Sequence, residues 1–253
     1  ATQTGGFSDT QHEAFAQAED QVNKKTDKLL GVKGTRSPNS FHRELGKIVW
    51  EHCGMSRTKE GLEAGLAKLA WMDDPTRERA VEKMSAITNK IGFPDEWRSY
   101  EGLSFNDAYF ENAMAAREFN GKYYRDMIGG PSDRGMWFMP SSMVNAYYNP
   151  SLNEIVFPAG ILQPPFFGHD RPQSLNYGAI GMVMGHELTH GFDDSGRKYD
   201  GKGVLTEWWA PEVSERFEAS AACIGETYSA IEVQPGTKLN GELTMGENIA
   251  DFG

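Results

Sequence analysis

Cysteine is nearly absent from this chain, and its scarcity excludes two kinds of protein. Cys53 and Cys223 are the only cysteines among 253 residues, which is too few for a disulfide scaffold. They also lack the C-x-x-C spacing of a thiolate zinc site or a redox pair, so we interpret them as packing residues or as one bridge. No Asn-x-Ser/Thr acceptor for glycosylation occurs either, which favours a bacterial origin.

Long apolar runs and an excess of positive charge are lacking as well. No run is long enough to span a bilayer and no charged-then-apolar leader opens the chain, so we expect a soluble protein or a mature form without its leader or anchor. The 25 Lys and Arg residues against 36 Asp and Glu give a net charge of -11. This charge argues against nucleic acid and anionic membranes as partners, because both would be repelled.

Two segments, at about residues 11–30 and 41–52, are compatible with helices. Apolar residues at helical spacing predict three more in the first half of the chain, at about residues 59–71, 74–91 and 101–127. The second of these three begins with Asp74 as the N-cap and Pro75 in the first turn, and its apolar stripe runs to Ile91. These stripes are typical of core-facing helices. They contain no pattern of residues that indicates a catalytic or binding site.

Aromatic and branched residues at 136–139, 143–148 and 154–157 predict strands, and the turn residues between the last two predict a hairpin. The apolar loop 159–167 contains Pro164 and Pro165 and follows Pro158. It either wraps the core or forms the wall of a ligand pocket. A helix is expected from Ser174 to His190. Its glycines at 178, 181 and 185 predict close packing against another backbone.

His186 and His190 lie four residues apart on one face of that helix, with Glu187 between them. This is the H-E-x-x-H pattern of zinc hydrolases, although an amphipathic helix with its histidines in water is the open alternative. A catalytic zinc needs a third protein ligand and an open position for water. Residues 191–194 contain no histidine, which excludes the metzincin pattern.

Glu247 is the best candidate for the third ligand, and Asp251 lies one helical turn beyond it on the same face. Asp251 could accept the N–H of a ligating imidazole and so set its tautomer. The alternative is a capping box, in which Thr244 and Glu247 only satisfy their own helix end. Given the upstream histidines, we favour the ligand.

Two further carboxylates lie beside the histidines. Asp193, three residues beyond His190, can accept an imidazole N–H, unless it is a solvated acid near a helix end. Glu187 is needed as the general base, because zinc lowers the pKa of its water toward ~7 and a carboxylate then takes the proton during attack on a carbonyl.

Four motifs stand in order along the chain: VNAYY at 144–148, IVFPAGILQPPFF at 155–167, GHELTHGFDD at 185–194 and GENIAD at 246–251. They resemble the signatures of the neprilysin and endothelin-converting-enzyme family of zinc peptidases. LAWMD at 69–73 and IGFPD at 91–95 extend the likeness upstream. It covers about residues 62–253, whereas residues 1–58 match poorly.

The resemblance implies a mainly α, gluzincin-type zinc peptidase with a small β-hairpin or sheet, part of a fold with two helical lobes. Residues 1–98 would belong to the helical lobe and residues 99–253 to the catalytic domain, truncated at its C-terminus. One zinc ion would be held by His186, His190 and Glu247. Glu187 would be the base, and Asp193 and Asp251 would support the ligands within the catalytic site.

The resemblance also implies substrate contacts. Asn145 and Ala146 would bind the backbone of a peptide, and a pocket would accept the bulky hydrophobic residue on whose amino side the enzyme cuts. The residues expected to line that pocket are Ile161, Phe166, Met182 and Val183. A periplasmic or secreted location is favoured and a cytoplasmic one is left open, as is the oligomeric state.

In the family the polypeptide continues with a histidine that stabilises the oxyanion and an arginine that holds the substrate. We therefore expect that a C-terminal segment of the same protein is missing here. A catalytically silent, zinc-stabilised peptide-binding module is the rival hypothesis, since the oxyanion group is absent.

Overall fold

The computed structural model describes residues 55–253, with side chains from residue 58 onward. Cys53, the helices predicted at about residues 11–30 and 41–52, and with them the first half of the predicted helical segment 1–98 lie outside this range. The chain divides into two compact units, whose described parts are residues 96–135 and a main unit of residues 55–95 and 136–253. This division by contacts does not define a catalytic domain, so the boundary between residues 98 and 99 stays a prediction.

The described chain contains helices of 4 to 19 residues and five short strands, joined by turns and loops. The main unit contains α1 (Met55–Leu66), α2 (Asp74–Ser85), β1 (Thr88–Gly92), β2 (Tyr147–Asn149), β3 (Glu154–Pro158), α4 (Gln173–Asn176), a π turn (Tyr177–Gly181), α5 (Met182–His190), a 3-10 turn (Gly196–Lys198), α6 (Pro211–Ser229), β4 (Glu232–Gln234), β5 (Thr237–Lys238) and α7 (Met245–Phe252). Between β1 and β2 the chain forms the 96–135 unit, which contains α3 (Tyr109–Asp126). The prediction of a mainly α protein with a small sheet is confirmed.

Helix α2 begins and ends at different residues from those predicted. Its N-cap is Asp73, whose side chain accepts a hydrogen bond from the Thr76 N–H at 2.9 Å, so the prediction of Asp74 as the cap was wrong. The helix also ends at Ser85, and Ile91 lies in β1. Ile87 and Ile91 are four residues apart, a spacing that suits a helix. The backbone of β1 nevertheless pairs with β3, and this tertiary pairing overrides the local pattern.

A three-stranded sheet in the order β1-β3-β2 lies in the main unit. β3 is parallel to β1 and antiparallel to β2, and all five of its residues are buried, as expected for a central strand. The predicted hairpin is confirmed by the β2–β3 pairing. The strands predicted at 136–139 and 143–146 were wrong, because these residues have no partner strand in the described sheet; the Phe138 N–H instead donates to the Tyr147 hydroxyl at 3.0 Å.

The 96–135 unit differs from its prediction in where its helix begins. α3 begins at Tyr109 and not near residue 101. The preceding turn is held by Asn106, whose side chain accepts from the Ala108 N–H at 2.7 Å and donates to Glu111 at 2.6 Å. Asparagine competes in this way with helical hydrogen bonding, which delays the start of the helix.

Helix α5 lies in the core of the main unit. Its buried face includes Met184 and Leu188, at most 1% exposed, and it continues the run of α4 and the π turn. Among residues 55–253, no helix is both long and apolar enough to cross a membrane.

Lys83 of α2 is a buried cation at the carbonyl end of α5. Its side chain is 1% exposed, and Nζ donates to the carbonyls of Gly191, Gly196 and Tyr199 at 2.6, 2.7 and 2.7 Å. Burial lowers the pKa of Lys83 to about 8, while nearby carboxylates oppose this shift. The three acceptors follow α5 in the chain, so Lys83 holds the turn that comes directly after the helix carrying His186 and His190.

Candidate metal centre

Helices α5 and α7 bring three metal-binding side chains together. The Nε2 atoms of His186 and His190 lie 3.0 Å apart. Oε2 of Glu247 lies 3.2 Å from Nε2 of His186 and 3.5 Å from Nε2 of His190. The two histidines meet because they are one helical turn apart, whereas Glu247 reaches them through the packing of α7 on α5.

Carboxylates orient both imidazoles from behind. Nδ1 of His186 lies 2.8 Å from Oδ1 of Asp251, and Nδ1 of His190 lies 2.7 Å from Oδ2 of Asp193. A carboxylate accepts hydrogen bonds and donates none, so each Nδ1 carries the hydrogen, and in the neutral imidazole each Nε2 then presents a lone pair. The two lone pairs face each other and a carboxylate oxygen, an arrangement that a cation between them stabilises.

The spacing of these donors fits zinc. Zinc–nitrogen bonds of ~2.0–2.1 Å in tetrahedral geometry place neighbouring donor atoms about 3.3 Å apart. The three observed separations, 3.0, 3.2 and 3.5 Å, bracket that value. Two imidazoles and one carboxylate also leave a fourth position for water, as catalytic zinc sites require.

Asp193 is not a solvated acid. It is 5% exposed, and its second oxygen accepts hydrogen bonds from the N–H groups of Ser195 at 2.8 Å and Gly196 at 2.6 Å. Burial alone would lower the pKa of His190, but the hydrogen bond and charge of Asp193 outweigh it, and the pKa is raised.

The capping-box interpretation of Glu247 was wrong. The side chain of Thr244 makes no capping hydrogen bond to α7 and donates instead to the Asn240 carbonyl at 3.2 Å. Glu247 itself is 68% exposed at its side chain and points its carboxylate toward the histidines. It is therefore available as a ligand.

Glu187 lies between the two histidines in sequence and is 4% exposed. Its Oε2 has no hydrogen-bond partner among the described residues. Burial raises the pKa of Glu187 to about 7, while the charges of the two histidines oppose the shift. Tyr148 lines a cavity together with Glu187 and was missed from the sequence, although it lies within the VNAYY motif.

A cavity of about 450 Å³ joins these groups to the hairpin. Its wall contains the metal cluster, Glu187, and the predicted substrate residues Asn145 and Ala146. Asn145 is exposed, and its side chain accepts from the Ala146 N–H at 2.9 Å. Met139 and Ser195 also line this cavity and were not predicted.

The four predicted pocket residues lie elsewhere in the structure. Ile161 is buried in the core at 3% exposure, and Phe166 and Val183 pack partly buried against it. Met182 is 56% exposed and lines a separate apolar groove of about 710 Å³. None of the four borders the cavity beside the metal cluster, so their role in substrate binding stays a prediction.

The glycines of the metal helix do not pack closely as predicted. A Cβ atom on Gly178 or Gly185 would meet nothing within 4 Å in the described chain, and Gly185 borders the apolar groove. The prediction of close backbone approach was therefore wrong for these two positions.

Two histidines from an H-E-x-x-H helix and a glutamate from a second helix form the donor set of the gluzincin class of zinc peptidases. The family model described as peptidase family M13 matches residues 145–253. Human endothelin-converting enzyme 1 is 47% identical over 77% of this chain and 26% of its own length. Neprilysin-3 of Drosophila melanogaster is 44% identical over 79% of this chain and 26% of its own length. The chain belongs to the neprilysin and endothelin-converting-enzyme family, which confirms the resemblance.

Solved structures agree with this family. The zinc metalloprotease Zmp1 of Mycobacterium tuberculosis, in complex with an inhibitor, superposes with a TM-score of 0.76 at 38% identity, over 85% of this chain and 36% of that one. PepO of Lactobacillus rhamnosis gives a TM-score of 0.71 at 31% identity, over 83% of this chain and 33% of that one. The chain spans about a quarter of the length of the curated relatives it matches.

A second family model, described as the fumarate reductase flavoprotein C-terminal part, matches residues 42–128. The curated relatives cover 77% to 79% of the chain, so their alignments overlap this range. At least part of this range therefore aligns with the neprilysin and endothelin-converting-enzyme family as well. The metal cluster lies outside the range.

Proposed function

We propose that this chain carries the zinc site of an endopeptidase or oligopeptidase that cuts peptides on the amino side of bulky hydrophobic residues. One observation carries the proposal: Glu187, whose buried Oε2 has no partner among the described residues, lines the same cavity as the three-donor cluster. A carboxylate in that position can take a proton from a water bound at the cluster.

The residues of the site would have the following roles. Zinc, when bound, supplies a Lewis acid and a water of lowered pKa. Glu187 would accept the proton of that water and pass it to the leaving amine, and it lines the same cavity as the cluster. Asp193 and Asp251 hold the Nδ1 protons of the two imidazoles, so that both Nε2 atoms stay available.

The hairpin supports binding of an extended peptide. β2 is an edge strand of the described sheet, and Asn145 and Ala146 precede it directly along the cavity wall. An edge strand presents unpaired backbone groups, to which a substrate can add as a further strand. A peptide bound there would pass the metal cluster.

The test is Glu187→Gln. Removing the base while keeping its shape should retain zinc and lower peptide cleavage about 10²- to 10⁴-fold. Glu207→Gln, at an exposed glutamate outside the cavity, is the matched control and should cleave as the parent does. Cleavage of peptides that vary only in the residue after the cut would test the hydrophobic preference. Undiminished cleavage by Glu187→Gln would refute the assigned base.

One observation favours a second candidate, the catalytically silent peptide-binding module. The described wall of the cavity contains no lysine or arginine that could stabilise an oxyanion. Zinc-dependent peptide binding without turnover, in this chain and in a longer form of it, would support this alternative over the peptidase.

We also propose that a further segment of the same protein supplies an oxyanion donor, because the curated relatives are about three times as long as this chain. An extracytoplasmic location is part of the same proposal. Its support is the family resemblance, and fractionation of cells that make the protein would test it.

A further inference from the structure

Gly246, the residue before the predicted ligand Glu247, packs closely against the loop after α5. A Cβ atom on Gly246 would lie 3.1 Å from Oδ1 of Asp194 and 3.2 Å from Oδ2 of Asp193. Ordinary van der Waals contacts of a Cβ begin at 3.4 Å. The backbone of Gly246 has no positive φ, so conformation does not by itself require glycine there.

Whether a methyl group could be accommodated depends on which neighbour can move. Asp193 cannot move easily, because it is 5% exposed and accepts three hydrogen bonds: one from Nδ1 of His190, at 2.7 Å, and one each from the N–H groups of Ser195 and Gly196. The oxygen that a Cβ would contact, Oδ2 of Asp193, is the one that accepts the hydrogen bond from His190. Asp194 is freer, since its Oδ1 has no hydrogen-bond partner in the described chain.

A side chain at position 246 would therefore displace either the carboxylate behind His190 or the first turn of α7. Both movements disturb the cluster, because Glu247 follows directly in α7 and reaches both histidines. Metal sites tolerate only about 0.2 Å of error in ligand distance. The two contacts of a Cβ at position 246 would be a few tenths of an ångström too short. Relieving them would require a movement of about the same size.

We propose that Gly246 is a positioning residue of the zinc site. Its missing side chain lets α7 pack against the Asp193–Asp194 turn, and this contact sets the distance between Glu247 and the two histidines. The inference rests on the proposed zinc site and adds a residue that touches neither metal nor substrate.

The experiment measures zinc affinity of the full chain by competition with a chromophoric chelator, with folding checked by circular dichroism. Gly246→Ala should bind zinc about 10- to 100-fold more weakly, the range seen when groups behind a ligand are changed. Its zinc-free form should keep the melting temperature of the parent. Gly178→Ala is the matched control, because its Cβ enters open space, and its zinc affinity should not change.

A double-mutant cycle tests the contact itself. Asp193→Ala removes the fixed oxygen, so adding Gly246→Ala to that variant should cost less zinc affinity than in the parent. Equal affinity of Gly246→Ala and the parent would overturn the inference, as would additive losses in the cycle. If Gly246→Ala alone does not fold, a folded double variant supports the contact and an unfolded one overturns it. A parent chain that binds no zinc would instead refute the proposed function.

Discussion

His186 and His190 differ in how firmly their orienting carboxylates are held. Asp193, behind His190, is 8% exposed at its side chain and receives two backbone N–H groups on its other oxygen. Asp251, behind His186, is 57% exposed at its side chain. A hydrogen bond shielded from water is electrostatically stronger than an exposed one. His190 is therefore the more rigidly oriented ligand.

This difference predicts unequal effects of removing the two carboxylates. Asp193→Ala should lower zinc affinity about 10- to 100-fold, and Asp251→Ala should lower it less, because water can replace the exposed carboxylate. Asp107→Ala, at an exposed aspartate of the 96–135 unit, serves as the control. Chelator competition measures all three. A larger loss for Asp251→Ala would contradict the ranking.

Among the elements, α2 and α5 are linked by the ammonium group of Lys83. A cation at the C-terminal end of a helix interacts favourably with the helix dipole. Lys83 supplies one from another helix: it donates to the carbonyl of Gly191, the C-cap of α5, and to those of Gly196 and Tyr199 beyond it, in the segment that also contains Asp193. The end of the metal helix is thus stabilised by a residue far away in sequence.

Lys83→Met keeps most of the side-chain volume and leaves three carbonyls without their donor. We expect the free energy of unfolding to fall by about 2–4 kcal/mol, since buried polar groups without partners cost ~1–3 kcal/mol each and some will gain water. Urea denaturation of the zinc-free chain measures the loss. Lys68→Met, at an exposed lysine just after α1, should change stability by no more than about 0.5 kcal/mol. A similar loss in both variants would argue against this stabilising role of Lys83.

At the scale of the whole molecule, the described metal ligands belong to the main unit and α3 belongs to the other. Zinc binding stabilises the state that forms its site, by about 2.7 kcal/mol when free zinc is 100 times its dissociation constant. The stabilised segments should be those that supply ligands.

We therefore predict that zinc slows amide hydrogen exchange in α5 and α7 and leaves α3 unchanged. Exchange measured by mass spectrometry, with the chain stripped by a chelator and then reloaded with zinc, gives the comparison. His186→Ala, which removes a ligand, should abolish the zinc effect in α5 and α7. Equal slowing in α3 would show that the metal stabilises both units together.

Sequence patterns were most reliable where the structure depends on near neighbours. The spacing of His186 and His190 places both on one helical face whatever packs around it, and the turn between β2 and β3 predicted their hairpin. They failed where a distant partner decides. Ile91 suited a helix by spacing, but the backbone of β3 was there to pair with it.

The sequence by itself determined which side chains can bind a metal and that two of them meet on one turn of helix, because both are local properties of the chain. Only the tertiary structure decided the rest of the site. Glu247 reaches the histidines because α7 packs on α5, and the Asp193 turn is held by Lys83 and approached by Gly246. These contacts join segments distant in sequence, so no spacing along the chain encodes them.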